Sequence, residues 1–376
     1  MSAVLQTLAD LVRINSVNPE WNGPGEAGVA KYVREFFLRA GVEAWEEEVL
    51  PGRNNVMARI PGKDRSHSVL LEAHMDTVST GNMEFDPFDP VIENRRLRGR
   101  GSCDVKAGLA AMMHAVVEVR EPACDVILAA VVDEEHAYRG VTRLVGSLQG
   151  GGQLPAAAVV AEPTELRAIR ANKGVLRWEV VTHGKTAHSS KPELGSNAIT
   201  IMARVILALE KHFDGLAQKT HPLVGKATGS IGVIEGGSQV NVVPDECRIK
   251  IDRRLLPGET AEDAHAQCRE ALLKELPGTE FEMLPPSMAD EGMETPADAA
   301  VVKTASRVLV SMGLDGEPAG VTFGCDCTKL SRAGIPSIIF GPGSVEQAHT
   351  DDEYIEVAQV ESALEFYRQF LIDFQA

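Results

Sequence analysis

The chain has 376 residues, enough for one large core and a second, smaller unit. Its net charge of -17, from 54 acidic against 37 basic residues, argues against a nucleic-acid or anionic-membrane partner, since either calls for a basic face. Six cysteines in a chain of this length do not make a disulfide scaffold, and the apolar stretches (Gly108–Met113, Val126–Val132) fall far short of the roughly 18 residues of a membrane span. Met1–Arg13 has the pattern of an amphipathic helix rather than of a secretory signal, so a reducing, cytoplasmic setting is expected.

In chain order, Ala27–Ala40 carries apolar residues at helical spacing. Asn55–Ile60 and Ser68–Glu72 have strand patterns. Lys106–Val119 is predicted as a helix whose small residues suit close packing on a sheet. Asp125–Val132 and Ala156–Ala161 are apolar runs expected as buried strands, with a helix at Tyr138–Leu148 between them. This alternation predicts an α/β layered fold with a mostly parallel sheet.

The pattern then changes. Strands are expected at Val175–His183, Thr228–Glu235, Cys247–Leu255 and Glu280–Leu284, with helices at Ser196–His212 and Thr260–Glu275. That order suggests a separate α+β unit with a four-stranded antiparallel sheet, leaving at Pro285-Pro286. Helix Ala297–Met312, strand Ile335–Phe340 and helix Val357–Phe374 restore the α/β pattern. The expected organisation is a first domain in two parts, 1–173 and 286–376, interrupted by an inserted unit at 174–285.

Chemistry-bearing residues gather at the ends of the predicted strands of the first domain. His74-Met75-Asp76 follows the strand at Ser68–Glu72. Residues two apart on a strand point the same way, so Asp76 can hold the second nitrogen of a ligating His74, although a strand-end histidine also serves as a plain hydrogen-bonding cap. Asp104 follows a glycine-rich turn and precedes a helix, so it fits both an N-cap and a carboxylate bridging two ions. Asp133-Glu134-Glu135 ends a buried strand. One glutamate there can bind metal while its neighbour acts as general base, the alternative being a solvated acidic loop. Glu162 and His349 each follow a further apolar strand. Each residue is weak evidence alone. Together they fit a parallel sheet that presents its site at the carboxyl ends of its strands. Two histidines and three carboxylates suit two zinc ions, with cobalt or manganese as substitutes. The cysteines do not compete for this role, because Cys325-x-Cys327 is spaced too closely for a zinc knuckle and Cys103 suits packing.

Six segments, in order, resemble the dinuclear zinc amidohydrolases that include acetylornithine deacetylase, succinyl-diaminopimelate desuccinylase, aminoacylase and glutamate carboxypeptidase. They are Glu72–Val78, Gly99–Gly108, Val132–Glu135, Ala161–Pro163, Gly184–Ser189 and Gln347–His349. Ala187–Ala198 and Gly341–Tyr354 look most like the acetylornithine deacetylase branch. The resemblance implies that His74, Asp104 and Glu162 hold one zinc and Asp104, Glu135 and His349 the other. It implies Glu134 as general base, Asp76 as the orienter of His74, and a cis peptide at Asp104-Val105. It further implies His188, assisted by Asn241, as donor to the developing oxyanion, and Arg254, in Asp252-Arg253-Arg254, as the anchor for a substrate carboxylate. Arg253 is expected on the opposite, solvent side of its strand. Gly324 opens a Gly-Cys-Asp-Cys-Thr loop that departs from the desuccinylase pattern and would line the substrate end. The implied activity is amide hydrolysis of an N-acyl amino acid, with a desuccinylase, carboxypeptidase or dipeptidase as alternatives. The inserted unit is implied to be a lid and the contact of a homodimer. A non-catalytic binding protein of the same fold is the competing class, and every chemistry-bearing position being filled counts against it.

Overall fold

The computed structural model describes residues 1–375. The chain divides into two units, Met1–Arg170 with Thr295–Ala319 and Cys325–Ala376, and Ala171–Glu294 with Gly320–Gly324.

The first unit is built on a sheet whose strands run in the order Glu43–Leu50, Arg53–Ile60, Cys124–Val131, Asp64–His74, Ala157–Val160, Ser337–Ile339. The last four are mutually parallel. Arg53–Ile60 and Glu43–Leu50 add antiparallel strands at one side, and Ile169 pairs antiparallel with Ile339 at the other. Cys124–Val131, Ala157–Val160, Ser337–Ile339 and the carboxyl half of Asp64–His74 are buried on both faces, which is why they read as apolar runs. Alternate residues (Val69, Leu71, Ala73 and Val126, Leu128, Ala130) join a core with helices Ala3–Arg13, Ala27–Arg39, Lys106–Glu118, Ala300–Ser311 and Val357–Asp373. Helices Arg139–Gly150 and Cys327–Arg332 pack on each other and on the strands outside that core, so the unit is an α/β/α sandwich. Glu43–Leu50 was not expected. Its side chains are exposed or half-buried and it carries four glutamates, so it shows no apolar pattern.

The second unit is an antiparallel sheet in the order Thr228–Gly236, Glu246–Leu255, Gly174–His183, Glu282–Met283. A fifth short strand, Met288–Asp290, also pairs with Gly174–His183. The four strands expected are therefore five, and the unit runs on past Pro285-Pro286 to Glu294. Leu176, Trp178, Val180, Ile249 and Ile251 pack on Met202, Val205 and Leu209 of helix Ala198–Leu216 and on Cys268 and Leu272 of helix Ala261–Glu275. Among the described residues, no helix is long and apolar enough to cross a membrane.

Candidate metal centre

His74 is the last residue of strand Asp64–His74 and is 2% exposed. Its Nδ1 bonds the backbone oxygen of Asp76 at 3.0 Å, while the Asp76 carboxylate lies at 3.6 Å. Its Nε2 faces Asp104 Oδ1 at 3.0 Å. Asp104 does not cap the following helix, whose N-cap is Val105, and the Asp104-Val105 peptide is cis. The second Asp104 oxygen lies 3.3 Å from Nε2 of His349, which is also 3.1 Å from Glu135 Oε1. Donor atoms of His74, Asp104 and Glu162 lie within 4.8 Å of one another, and so do those of Asp104, Glu135 and His349. Asp104 belongs to both groups.

Electrostatics supply the case for cations here. Burial, and then the charge of neighbouring carboxylates, pushes Glu134 and Glu162 well above the usual carboxylate range. Burial and the Asp104 charge raise Glu135. Burial also acts to raise Asp104, but hydrogen bonds from His349 and His74 outweigh it and hold its carboxyl below the usual range. Four carboxylates around two imidazoles leave an excess of buried negative charge, which divalent ions would neutralise. The oxygen and imidazole donors match such ions.

Glu134 and Glu135 open the short helix Glu134–Ala137, which follows Asp133 in a left-handed conformation with φ 67°. The Asp76 carboxylate accepts the amides of Glu134 at 3.1 Å and Glu135 at 3.2 Å. It is thus spent on the backbone of the candidate base more than on His74. Asn18 donates to both Asp76 (2.8 Å) and Asp133 (3.0 Å). Arg53 and Arg139 also donate to Asp133, at 2.9 and 3.0 Å. Glu72 and Asp326 form a further buried carboxylate pair beside His74, each raised by burial first, Asp326 to about 7. No individual role was expected of Asn18, Arg53, Glu72 or Asp326 from the residue pattern. For Asn18, the polar Asn15-Ser16-Val17-Asn18-Pro19 stretch after an amphipathic helix was the available signal.

The remaining predicted residues lie in the second unit. His188 is exposed and its Nδ1 is bonded to Ser190 Oγ at 2.8 Å. The Asn241 carbonyl accepts the Ser189 amide at 3.0 Å, so His188 and Asn241 come from adjoining segments. Arg254 is at the far end of strand Glu246–Leu255 from that pair, roughly 25 Å along it. Its Nε donates to Asp252 at 2.8 Å, and its terminal nitrogens have no protein partner among the described residues. Arg253, expected at the surface, is 1% exposed and donates to both oxygens of Glu259 at 3.1 and 3.0 Å. The alternation along this strand holds, but its buried face accommodates a paired charge. Gly324 is half-buried in an irregular stretch, followed by the buried Cys325, Asp326 and Cys327.

Residues 70–373 match Peptidase family M20/M25/M40. The chain is 29% identical over 370 residues to an acetylornithine deacetylase of Myxococcus xanthus, covering 95% of this chain and 93% of that one. It is 30% identical over 388 residues to a probable carboxypeptidase of Aspergillus terreus, covering 96% and 84%. Its fold is similar to that of a metallo-carboxypeptidase of Sulfolobus solfataricus, with a TM-score of 0.78, 20% identity and coverage of 99% of each chain. With a match over most of its length, and with acidic and histidine clusters suited to divalent ions, the chain belongs to peptidase family M20/M25/M40 and is a metal-dependent amidohydrolase.

Proposed function

We propose that the protein removes the acyl group from an N-acyl amino acid, in the manner of an acetylornithine deacetylase, at a site of two zinc ions. The observation that carries this reading is the gathering of five donors from five separate places in the chain into two triads sharing Asp104. His74, Asp104 and Glu162 would hold one ion and Asp104, Glu135 and His349 the other, with cobalt or manganese as substitutes. Such ions polarise an amide carbonyl and make water a nucleophile at neutral pH.

The protein's own groups do the rest. Glu134 accepts the proton of the attacking water and passes it to the leaving amine. Asp76 holds the amides of Glu134 and Glu135 and the ring of His74 in place. His188, with its Nδ1 occupied by Ser190, presents Nε2 to the developing oxyanion, with Asn241 assisting. Arg254, steadied by Asp252, offers its free terminal nitrogens to the substrate carboxylate, and Gly324 lines the substrate end. Residues 174–285 act as lid and as the contact of a homodimer. Six free, buried cysteines support a reducing, cytoplasmic setting.

The likeness to a probable carboxypeptidase keeps a second reading open, cleavage of a C-terminal peptide bond. Release of amine from N-acetylornithine, N-succinyl-diaminopimelate and a short peptide panel separates the two, and absence of turnover on N-acetylornithine rejects the first choice. Glu134→Gln is expected to retain its metal and lose about 10²- to 10⁴-fold in kcat. Full activity in that variant would remove Glu134 as base.

A further inference from the structure

His349 and His74 are oriented differently. The ring of His74 is buried and anchored through Nδ1 to the Asp76 carbonyl at 3.0 Å. The His349 side chain is 52% exposed. Its Nε2 faces Asp104 and Glu135, and its Nδ1 has no protein partner among the described residues. A histidine ligand is ordinarily aimed by a hydrogen bond on its second nitrogen. The backbone of this one sits in the left-handed region, at φ 59°. Its aim must come from the chain around it.

That chain is gripped by the loop that carries Asp104. Arg100, 2% exposed, donates from one terminal nitrogen to the Thr350 carbonyl at 3.1 Å, one residue beyond His349. From the other it donates to Glu353 Oε2 at 2.6 Å. Glu353 is fully buried and accepts the amides of Gly101 and Cys103 at 2.9 Å and of Asp104 at 3.1 Å. A side chain four residues past His349 therefore organises the loop that delivers Asp104, and a side chain in that loop holds the residue next to His349. Tyr354–Glu356 extends the union by pairing antiparallel with Arg96–Arg98.

We propose that Arg100 and Glu353 are positioning residues that lock the Asp104 and His349 loops in the register in which His349, Asp104 and Glu135 face one ion. They act through backbone groups and touch neither ion nor substrate. The inference rests on the ligand set proposed above, and the experiment separates the two.

Metal-free wild type, Glu353→Gln, Arg100→Lys and His349→Ala are titrated with Zn²⁺ by calorimetry, and their Co²⁺ forms are compared by visible absorption. Circular dichroism checks the fold. A Gln at 353 keeps the shape but turns donors toward amides that need acceptors, and a Lys at 100 reaches only one of the two partners. In both variants one of the two Zn²⁺ equivalents is expected to weaken by about 10- to 100-fold, and more than the other, with an altered Co²⁺ spectrum. Arg100→Lys carries the test should Glu353→Gln not fold. Wild-type affinities and spectra in both variants, with His349→Ala losing one equivalent, would overturn the positioning role and leave the ligand set standing. Retention of both equivalents at wild-type affinity in His349→Ala would overturn the ligand set, and the positioning role with it.

Discussion

Asn18 places one amide group between two buried carboxylates, at 2.8 Å from Asp76 and 3.0 Å from Asp133. Each carboxylate in turn fixes the turn that carries Glu134. Asn18→Leu keeps much of the volume and removes both donations. It is expected to lower kcat about 10- to 100-fold and cost about 1–3 kcal/mol of stability, measured by steady-state kinetics and urea unfolding. His349 gives a second residue-scale prediction. Hydrogen bonds to Asp104 and then Glu135 raise its imidazole to about 11 in the metal-free protein, against an ordinary 6.5. That pairing stabilises the metal-free fold fully below the ordinary value and is lost as pH rises through about 11. If Nε2 of His349 binds metal as proposed, binding would release the same proton, and affinity should rise about tenfold per pH unit between 7 and 10 for that proton. Titration calorimetry in buffers of different ionisation enthalpy measures the release, and no proton release at pH 8 would contradict it. The grouping of His74, Asp104, Glu135, Glu162 and His349 was legible because each follows a glycine turn or an apolar strand. Glu353 and Asn18 were not, because they act on backbone amides or on other carboxylates, and neither leaves a spacing pattern.

Helix Lys106–Glu118 lies against the sheet on a face of small residues. A Cβ on Gly108 would come within 2.7 Å of the Ala161 Cβ, next to Glu162. Gly108→Ala gains helix propensity but must push the helix off the strand. The expected net loss is about 1–3 kcal/mol, read by denaturant unfolding, with weakened metal binding if the shift reaches Glu162. Equal or greater stability would mean the contact yields easily. Elements with long apolar runs were legible, Cys124–Val131 above all. Two of those missed have clear physical reasons. Glu43–Leu50 is a sheet edge dressed with glutamates, as exposed edges often are, and Met288–Asp290 has only three residues, too few to show a period. For Arg253, the alternation was readable but the ion pair with Glu259 that lets a guanidinium face the core was not.

At the scale of the whole molecule, every candidate metal donor belongs to the first unit. Metal should therefore raise the melting of that unit, by about 2.7 kcal/mol when its free concentration is a hundredfold above Kd. Trp178 is buried in the core of the second unit and reports on it alone. Chelation is expected to lower the calorimetric transition of the first unit while Trp178 fluorescence, with Trp21 and Trp45 replaced by Phe, melts unchanged. A shared shift would show that the units unfold together. Strand Thr228–Gly236 forms an edge of the second sheet, with Val233 41% and Ile234 55% exposed. If this edge makes the proposed dimer, Ile234→Lys should yield monomers by sedimentation velocity. The expectation of an insertion came from an α/β pattern that stops and resumes. Its exit was displaced because Pro285-Pro286 looks like a hinge but is followed by one more strand.

The two-part first unit also has a consequence in time. His74, Asp104, Glu135 and Glu162 are all synthesised before the second unit begins, and His349 only after it ends. At about 5–20 residues per second, roughly ten to forty seconds separate Glu162 from His349 on the ribosome. Throughout that interval the nascent chain would lack one of the five proposed ligands and the strand Ser337–Ile339 of the first sheet. The second unit, by contrast, has all of its residues in hand once Gly324 is made. On the proposed ligand set, full metal loading would thus be a late event in the life of each molecule, following synthesis of the larger unit's last segment.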